Sequence, residues 1–383
     1  MLPLTGNSSE IGQSMKAAAE LAVEIINNPT PSLAPVPLAS GSGLPAIGGA
    51  KVEVVFSDNQ GSPSVSQSEA LRLITQDHVV ALVGAYASSL TLTSSAVAER
   101  NGIPYVNGTS TAGNLTERGY KWFFRTTPIG PDFAPLYFDF LADVAKTGVT
   151  IGKIAVVNEN TDYGTSLADS LAKAAEEHGT KLALRIAYNA NSTDLSSSVL
   201  KLKSAQPDVV IFVSYTSDAI LYMKTFHTLD YRPPVVIGDD AGFSDPSFIK
   251  NVGPIAQGAL NRSVFVPGKP GSLTYKVNAL FKQKTGRDLD DNAARHMQAL
   301  LVLCDAINRA GSARPAAIRD ALAKTDTPAN ELVVDYKGVK FNSDGQNTLG
   351  YALLVQLEGS GYAPVWPGSR ATARLQLPFK GWT

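Results

Sequence analysis

Two groups of polar residues in this 383-residue chain stand directly after apolar runs, where their chemistry would count. The first group is built of hydroxyls. Ser88 and Ser89 follow the run Val79–Val83 and Gly84, while Thr109, Ser110 and Thr111 follow Ile103–Val106. Hydroxyls beside backbone N–H groups at a helix start suit a small anion, above all a carboxylate. The second group is acidic: Asp239-Asp240 follows Val235–Ile237, and a carboxylate at that place suits an ammonium group. Tyr163, in Asp162-Tyr163-Gly164, and Tyr215 each start a helix after a strand, positions from which they wall a pocket or hydrogen-bond a ligand. Plainer roles stand beside these. Ser88 or Ser89 would cap a helix starting at Leu90, Asp240 would cap a short helix over Asp245–Ile249, and either tyrosine would be an ordinary half-exposed aromatic.

The elements that must position these residues are legible from periodicity. Val79–Val83 is too short for a helix and rich in β-branched residues, which makes it a buried strand. Leu90–Asn101 reads as a helix and Ile103–Val106 as a second strand. The result is a βαβ unit whose loops leave the carboxyl ends of neighbouring parallel strands, where ligands sit in open α/β sheets. Upstream lie a helix over Ile11–Ile26, a long proline-rich loop over 27–50, a strand over Lys51–Phe56 and a helix over Ser64–Asp77. Downstream come a strand over Phe123–Thr126 and a helix over Asp132–Lys146.

A second series begins at Lys153. Strands Ile154–Val157, Leu182–Ile186, Val209–Val213 and Val235–Ile237 alternate with helices Gly164–His178, Leu195–Ala205 and Ser217–Leu229, which predicts a second parallel sheet. Beyond Gln257 a strand near Ala259–Val266 precedes helices Gly271–Thr285, Asn292–Ala310 and Pro315–Lys324. Strands near Leu332–Val334, Val339–Phe341 and Leu349–Leu357 follow, and 362–383 carries no clear period. Two α/β blocks predict two lobes with a cleft between them. Val209–Ser217 loosely echoes Val79–Ser88, and that places a second strand-end loop opposite the first.

Composition narrows the chemistry. Apolar residues make up 44% and charged residues 17%, which describes a soluble globular protein with an ample core. A net charge of −1 leaves no basic footprint for nucleic acid. No run approaches the ~18 apolar residues of a membrane span. The single cysteine, Cys304, excludes an internal disulfide, and its apolar helical neighbours mark it as a buried thiol. GxSxG, HExxH, P-loop and strand-following GxGxxG motifs are all lacking. The four histidines are scattered, three of them at surface positions, so neither a metal site nor an enzyme is expected.

Taken together, Pro3-Leu4-Thr5-Gly6 with Gly12, Gly84–Ser89, Gly102-Ile103-Pro104, Leu115-Thr116 through Arg125-Thr126-Thr127, Asp162-Tyr163-Gly164 and Gly238-Asp239-Asp240 make the chain resemble type I periplasmic solute-binding proteins of ABC transporters, the leucine/isoleucine/valine-binding family. The resemblance runs from Pro3 to about Glu358. It implies two doubly wound α/β lobes with parallel sheets, joined by three crossover segments: 1–125 with 258–340, and 126–257 with 341–383. It implies a ligand carboxylate on Ser88, Thr109 and Thr111, with Ser89 beside them. The α-ammonium would lie on Asp240, the Tyr215 hydroxyl and the Thr109 carbonyl, Tyr163 would cover the site, and Tyr86 would line the side-chain pocket. The implied function is the extracytoplasmic component of an importer, a monomer that closes on a hydrophobic amino acid and docks on a membrane permease. A carboxylic acid without an amine, or a ligand-sensing receptor domain, is the alternative. No cofactor, metal or nucleic acid is implied.

Three departures accompany the resemblance. Ile11 stands where aliphatic-binding relatives can carry an aromatic, Asp240 stands where others have Glu, and the 27–50 loop is long. In addition, only Met1-Leu2 remain of the apolar strand that usually precedes Pro-Leu-Thr-Gly. Met1–Gly6 shows no signal peptide, so the protein is either cytosolic or numbered from a processed and trimmed start, which the rest favours. Either residues upstream supply the strand, or the first sheet is completed in another way.

Overall fold

The computed structural model describes residues 1–382. The chain divides into two units, Met1–Pro128 with Val264–Tyr351 and Ile129–Ser263 with Ala352–Thr383. The first unit opens with α1 (Ser9–Asn27), whose buried Ile11, Met15, Ala18, Ala22 and Ile25 repeat at helical spacing. It continues through α2 (Pro63–Thr75), β1 (Leu82–Val83), α3 (Ser88–Asn101), β2 (Tyr105–Asn107) and β3 (Phe123–Arg125). These strands form a parallel sheet in the order β1-β2-β3.

The second unit carries α4 (Gly130–Ala145), β4 (Ile154–Glu159), α5 (Asp162–Glu177), β5 (Leu182–Tyr188), α6 (Ser196–Ala205) and β6 (Val209–Val213). It continues with α7 (Thr216–Thr228), β7 (Val235–Gly238), α8 (Ala241–Ser244), α9 (Pro246–Val252) and β8 (Leu260–Ser263). The chain returns to the first unit with α10 (Leu273–Thr285), α11 (Asp291–Ala310), α12 (Pro315–Leu322) and the small antiparallel pair β9 (Asp326–Pro328) and β10 (Gly338–Lys340). It ends in the second unit with β11 (Leu353–Glu358) and β12 (Gly361–Trp366).

The second sheet has seven strands in the order β12-β11-β8-β7-β6-β4-β5. Five run parallel, the four strands of the expected series and β8, and β11 and β12 add an antiparallel edge to them. Val209–Val213 and Val235–Gly238 are buried at every position, the pattern of strands covered on both faces.

Several sequence expectations shift. Lys51–Phe56 joins no ladder; the bridge Leu2–Asp58 lies just past its end. Its alternating pattern is that of a strand, but a strand also needs a partner. Of Val79–Val83 only the last two residues pair. Leu332–Val334 is buried without being a strand, and β10 pairs instead with Asp326–Pro328. The unit boundaries fall after 128, 263 and 351, where the sequence reading drew them after 125, 257 and 340. Ladders explain the difference: β8 pairs with β7 and β11, while Arg125 bridges Gln346 and Asn347 Nδ2 donates to Thr126 O at 2.9 Å.

Candidate functional site

In the first unit the hydroxyl-bearing residues gather where β1 and β2 end. The helix after β1 starts at Ser88 itself, with Ala87 as its cap residue, so neither Ser88 nor Ser89 caps it. Both lie in the first turn, where backbone N–H groups have no partner within the helix. The second loop is folded around Asn107. Its Oδ1 accepts from the N–H groups of Thr109 (3.2 Å) and Ser110 (2.9 Å), an Asx turn that reverses the chain.

The two loops are tied together. Thr109 Oγ1 and Ser110 Oγ donate to Tyr86 O at 3.1 and 2.8 Å, and Ala112 N–H donates to Ser88 Oγ at 3.3 Å. Tyr86 is held at φ 88°, a left-handed conformation that a non-glycine residue adopts at a cost of roughly 1–3 kcal/mol. Gly108 lets the loop lie against α11, since a Cβ there would stand 2.5 Å from Arg295 O. Ser88, Thr109, Thr111 and Tyr86 are buried, and Ser89 is half-buried.

Two arginines fasten this loop from behind. Arg295 Nη1 donates to Thr109 O at 3.1 Å and Arg125 Nη1 to Ala112 O at 2.6 Å. Arg295 is itself paired with Asp291 at 2.8 Å. The Thr109 carbonyl, expected to face a ligand ammonium, therefore already has a cationic donor.

In the second unit the acidic pair is the centre of a buried network. Arg262, on β8, reaches Asp239 through Nε (2.6 Å) and Nη2 (3.3 Å), and Asp240 through Nη2 (3.4 Å). The Tyr137 hydroxyl donates to Asp239, and the Tyr163 hydroxyl donates to both its carbonyl and its Oδ2, the latter at 2.9 Å. Burial works against the Arg262 charge. The two carboxylates outweigh it and hold the guanidinium more firmly protonated than usual. Burial, followed by the Asp239 charge, pushes both tyrosine hydroxyls well up, so they remain donors. Phe133 lies beneath Arg262, its ring centroid 4.1 Å from Cζ.

Asp240 stands at the N-cap position of α8 without a side-chain capping bond, and α9, the helix it was expected to cap, is capped by Asp245, which accepts from Ser247 N–H at 2.8 Å. Instead Asp240 sits at φ 49°, its N–H donating to Asn261 Oδ1 at 2.8 Å. Tyr215 occupies the N-cap position of α7 and its ring centroid lies 5.3 Å from that of Tyr163. Gly242 allows α8 to press on this turn, since a Cβ there would stand 2.5 Å from the Tyr215 backbone. Glu159, at the end of β4, accepts from Thr161 N–H, Thr161 Oγ1 and Gly164 N–H, which fixes the start of the helix carrying Tyr163.

The expected residues thus form two groups, Tyr86, Ser88, Ser89, Thr109 and Thr111 in the first unit and Tyr163, Tyr215 and Asp240 in the second. Sequence reasoning did not single out Arg262, Tyr137, Arg295 or Asn107. For Arg262 a signal existed: a buried strand with a charge in it, and two adjacent acids elsewhere lacking a counterion. Among the described residues no three His, Cys, Asp or Glu side chains are grouped to hold a metal, and no helix is long and apolar enough to cross a membrane.

Comparison with known proteins decides the family. The periplasmic binding protein family matches residues 1–361. This chain belongs to it. As a member it is a solute-binding protein of the ABC-transporter type rather than an enzyme, and the family implies an extracytoplasmic location. Leu/Ile/Val-binding protein homolog 7 of Brucella suis biovar 1 (strain 1330) is 28% identical over 99% of this chain and 93% of its own length. Among solved structures, the branched-chain amino acid transporter substrate-binding protein LivJ from Streptococcus pneumoniae, in complex with isoleucine, aligns with a TM-score of 0.79 at 20% identity, covering 96% of this chain and 98% of its own. A solute-binding protein from Rhodopseudomonas palustris BisB5, in complex with 3,4-dihydroxybenzoic acid, aligns at 0.78 and 17% identity, covering 94% and 93%. Both show the fold, a type I periplasmic binding protein.

Proposed function

We propose that this periplasmic binding protein is the substrate-binding component of an ABC importer and takes an amino acid with a hydrophobic side chain, its two lobes closing on the ligand. It would work as a monomer and deliver the ligand to a membrane permease. The observation that carries the reading is a charge difference between the two groups of site residues. The first offers neutral donors, the Ser88, Ser89 and Thr111 hydroxyls and the first-turn amides of α3, suited to a carboxylate, while the Thr109 hydroxyl, already donating to Tyr86 O, braces the loop beside them. The second carries two carboxylates against one guanidinium. One guanidinium balances only one of these two negative charges, and the remaining formal charge suits an ammonium group. Tyr163 and Tyr215 add aromatic walls, and Tyr86 lines the side-chain pocket.

A second reading, a carboxylic acid without an amine, has its own support. Asp240 already has a cationic partner, and Arg262 Nη1 is buried without a hydrogen-bond partner among the described residues. Such a ligand also appears in the Rhodopseudomonas palustris neighbour. Calorimetric titration with leucine and with 4-methylpentanoate, which lacks only the amine, separates the two. Leucine binding at least tenfold tighter supports the amino-acid reading; equal or reversed affinities reject it.

A further inference from the structure

One buried guanidinium of the first unit serves places that lie far apart in the sequence. Arg295 stands one turn into α11 and is almost wholly buried. Its Nη1 donates to Thr109 O at 3.1 Å, in the loop that carries the site hydroxyls. The same nitrogen donates to Thr127 Oγ1 at 3.2 Å, Nη2 donates to Asn292 Oδ1 at 2.6 Å, and Nε is paired with Asp291 at 2.8 Å. Thr127 stands next to Pro128, after which the chain leaves the first unit.

Asp291 carries the link onward. Its Oδ1 accepts from the N–H groups of Val264 (2.6 Å) and Phe265 (3.0 Å), the first residues after the chain has returned. β8 ends at Ser263, so these two amides are held by a side chain rather than by a ladder. The third crossing is reached from the other arginine. Arg125 donates to Ser110 O and Ala112 O in the same hydroxyl-bearing loop, and its Nε donates to Gln346 Oε1 at 2.7 Å. Gln346, shortly before the chain leaves again after Tyr351, donates in turn to Thr127 O at 2.9 Å.

Holding the loop does not demand so much. The Asn107 turn and the bonds to Tyr86 O already shape it with neutral groups. A buried ion pair carries a desolvation cost that a loop brace alone does not require. The contacts left over, to Thr127 and through Asp291 to Val264 and Phe265, all lie where the chain passes between units.

We propose that Arg295 and Asp291 are positioning residues for ligand closure: they make the hydroxyl loop and the crossing segments one stiff piece, which limits the directions in which those segments bend. This rests on the reading of the protein as a receptor whose lobes close on a ligand. A narrower set of open arrangements loses less conformational entropy on closing, so the closed state is more populated once ligand is present. The planar guanidinium makes this possible, because its fork holds Thr109, Thr127, Asn292 and Asp291 at once. A lysine ammonium is a point charge on a flexible stem.

The test uses three variants of the whole chain. Arg295→Lys keeps a buried cation for Asp291 but loses the fork. Thr127→Val removes one acceptor at a crossing segment and leaves the Thr109 bond in place. Arg309→Lys is the control, since Arg309 lies on the same helix but bonds only to Asp305, Ala321 and Thr325. Spin labels on cysteines replacing the exposed Gln67 of α2 and Lys201 of α6 report the distance between units, and Cys304 is buried away from the label.

In the ligand-free protein the distance distribution should broaden in Arg295→Lys, broaden less in Thr127→Val, and keep its width in Arg309→Lys. Stopped-flow binding then uses leucine or 4-methylpentanoate, whichever binds more tightly. The off-rate should rise about tenfold in Arg295→Lys and about threefold in Thr127→Val, with the on-rate unchanged. An unchanged distribution in Arg295→Lys, or equal broadening in Arg309→Lys, overturns the proposal. So does a raised off-rate in Arg295→Lys with Thr127→Val unaffected, because damage to the loop alone then accounts for the loss. If Arg295→Lys does not fold, Thr127→Val decides by the same two measurements. If neither compound binds, both ligand readings fail, and the restraint on the crossing segments still stands or falls with the ligand-free distributions.

Discussion

The two units solve the same local problem with opposite chemistry. In each, a loop leaving the carboxyl end of a parallel strand is bent through a non-glycine residue in the left-handed region, Tyr86 in one and Asp240 in the other. Around Tyr86 the chain is held by neutral groups: its carbonyl accepts from Thr109 and Ser110, and the charged residues Arg125 and Arg295 fasten the loop from behind. Around Asp240 the charges are the site itself, with Asp239, Asp240 and Arg262 buried together. A bent loop can be held by hydroxyl donors on its own backbone carbonyl. Placing charge in a buried loop requires a counterion from another strand, here β8, and hydroxyl donors from two helices, α4 and α5.

The sharpest way to break this contrast is to remove the counterion. Arg262→Met should cost about 3–5 kcal/mol, because two carboxylates are then buried without a cation. Arg295 stands behind the neutral loop, also with a buried acidic partner, and is not a clean control. Thr109→Val is, and it should cost only about 1 kcal/mol for one lost hydrogen bond. Urea unfolding measures both, and equal losses would mean that the charge network contributes no more than the hydroxyls.

The next test sharpens the contrast at the level of ligand. Asp240→Asn should weaken leucine by about 2–4 kcal/mol and leave 4-methylpentanoate almost unaffected, whereas Ser88→Ala should weaken both alike by about 1–2 kcal/mol. Titration of the two variants with both compounds reads this directly. If Asp240→Asn weakened the two ligands equally, Asp240 would not be answering an ammonium group.

The smallest expected effect concerns a carboxylate of the second unit outside the network. Burial raises Asp218 from its ordinary 3.8 to about 6 despite bonds from Asn191 N–H and the Tyr188 hydroxyl. A raised carboxylate pKa means that the folded state binds the proton more tightly. Its charge therefore costs stability above about pH 6, and stability returns as the pH falls from there toward 3.8. The Tm of the protein relative to Asp218→Asn should accordingly be higher at pH 5 than at pH 7.5. A difference that does not change with pH would show that Asp218 does not titrate in this range.

What the sequence disclosed follows from how local each signal is. Val209–Val213 is legible residue by residue because five apolar residues are bounded by Asp208 on one side and by Ser214, Tyr215 and Thr216 on the other. Lys51–Phe56 misleads for the converse reason: its alternation is local, but membership of a ladder depends on a neighbour elsewhere in the chain. The hairpin β11–β12 had a usable cue, Gly359-Ser360 between two apolar runs, with Gly359 at φ 62°. The hydroxyl loops were visible from their spacing, whereas the pairing of Arg262 with residues more than twenty positions earlier was not, because no local pattern specifies which strand lies beside β7.

The threefold crossing of the chain between units has a consequence for biosynthesis. The first unit lacks its final pieces until Tyr351 has been made, and the second lacks β12 until Trp366. On a ribosome the strands of the second unit from β4 to β8 therefore emerge while the first unit still lacks Val264–Tyr351, so two incomplete cores coexist for as long as that segment is being made.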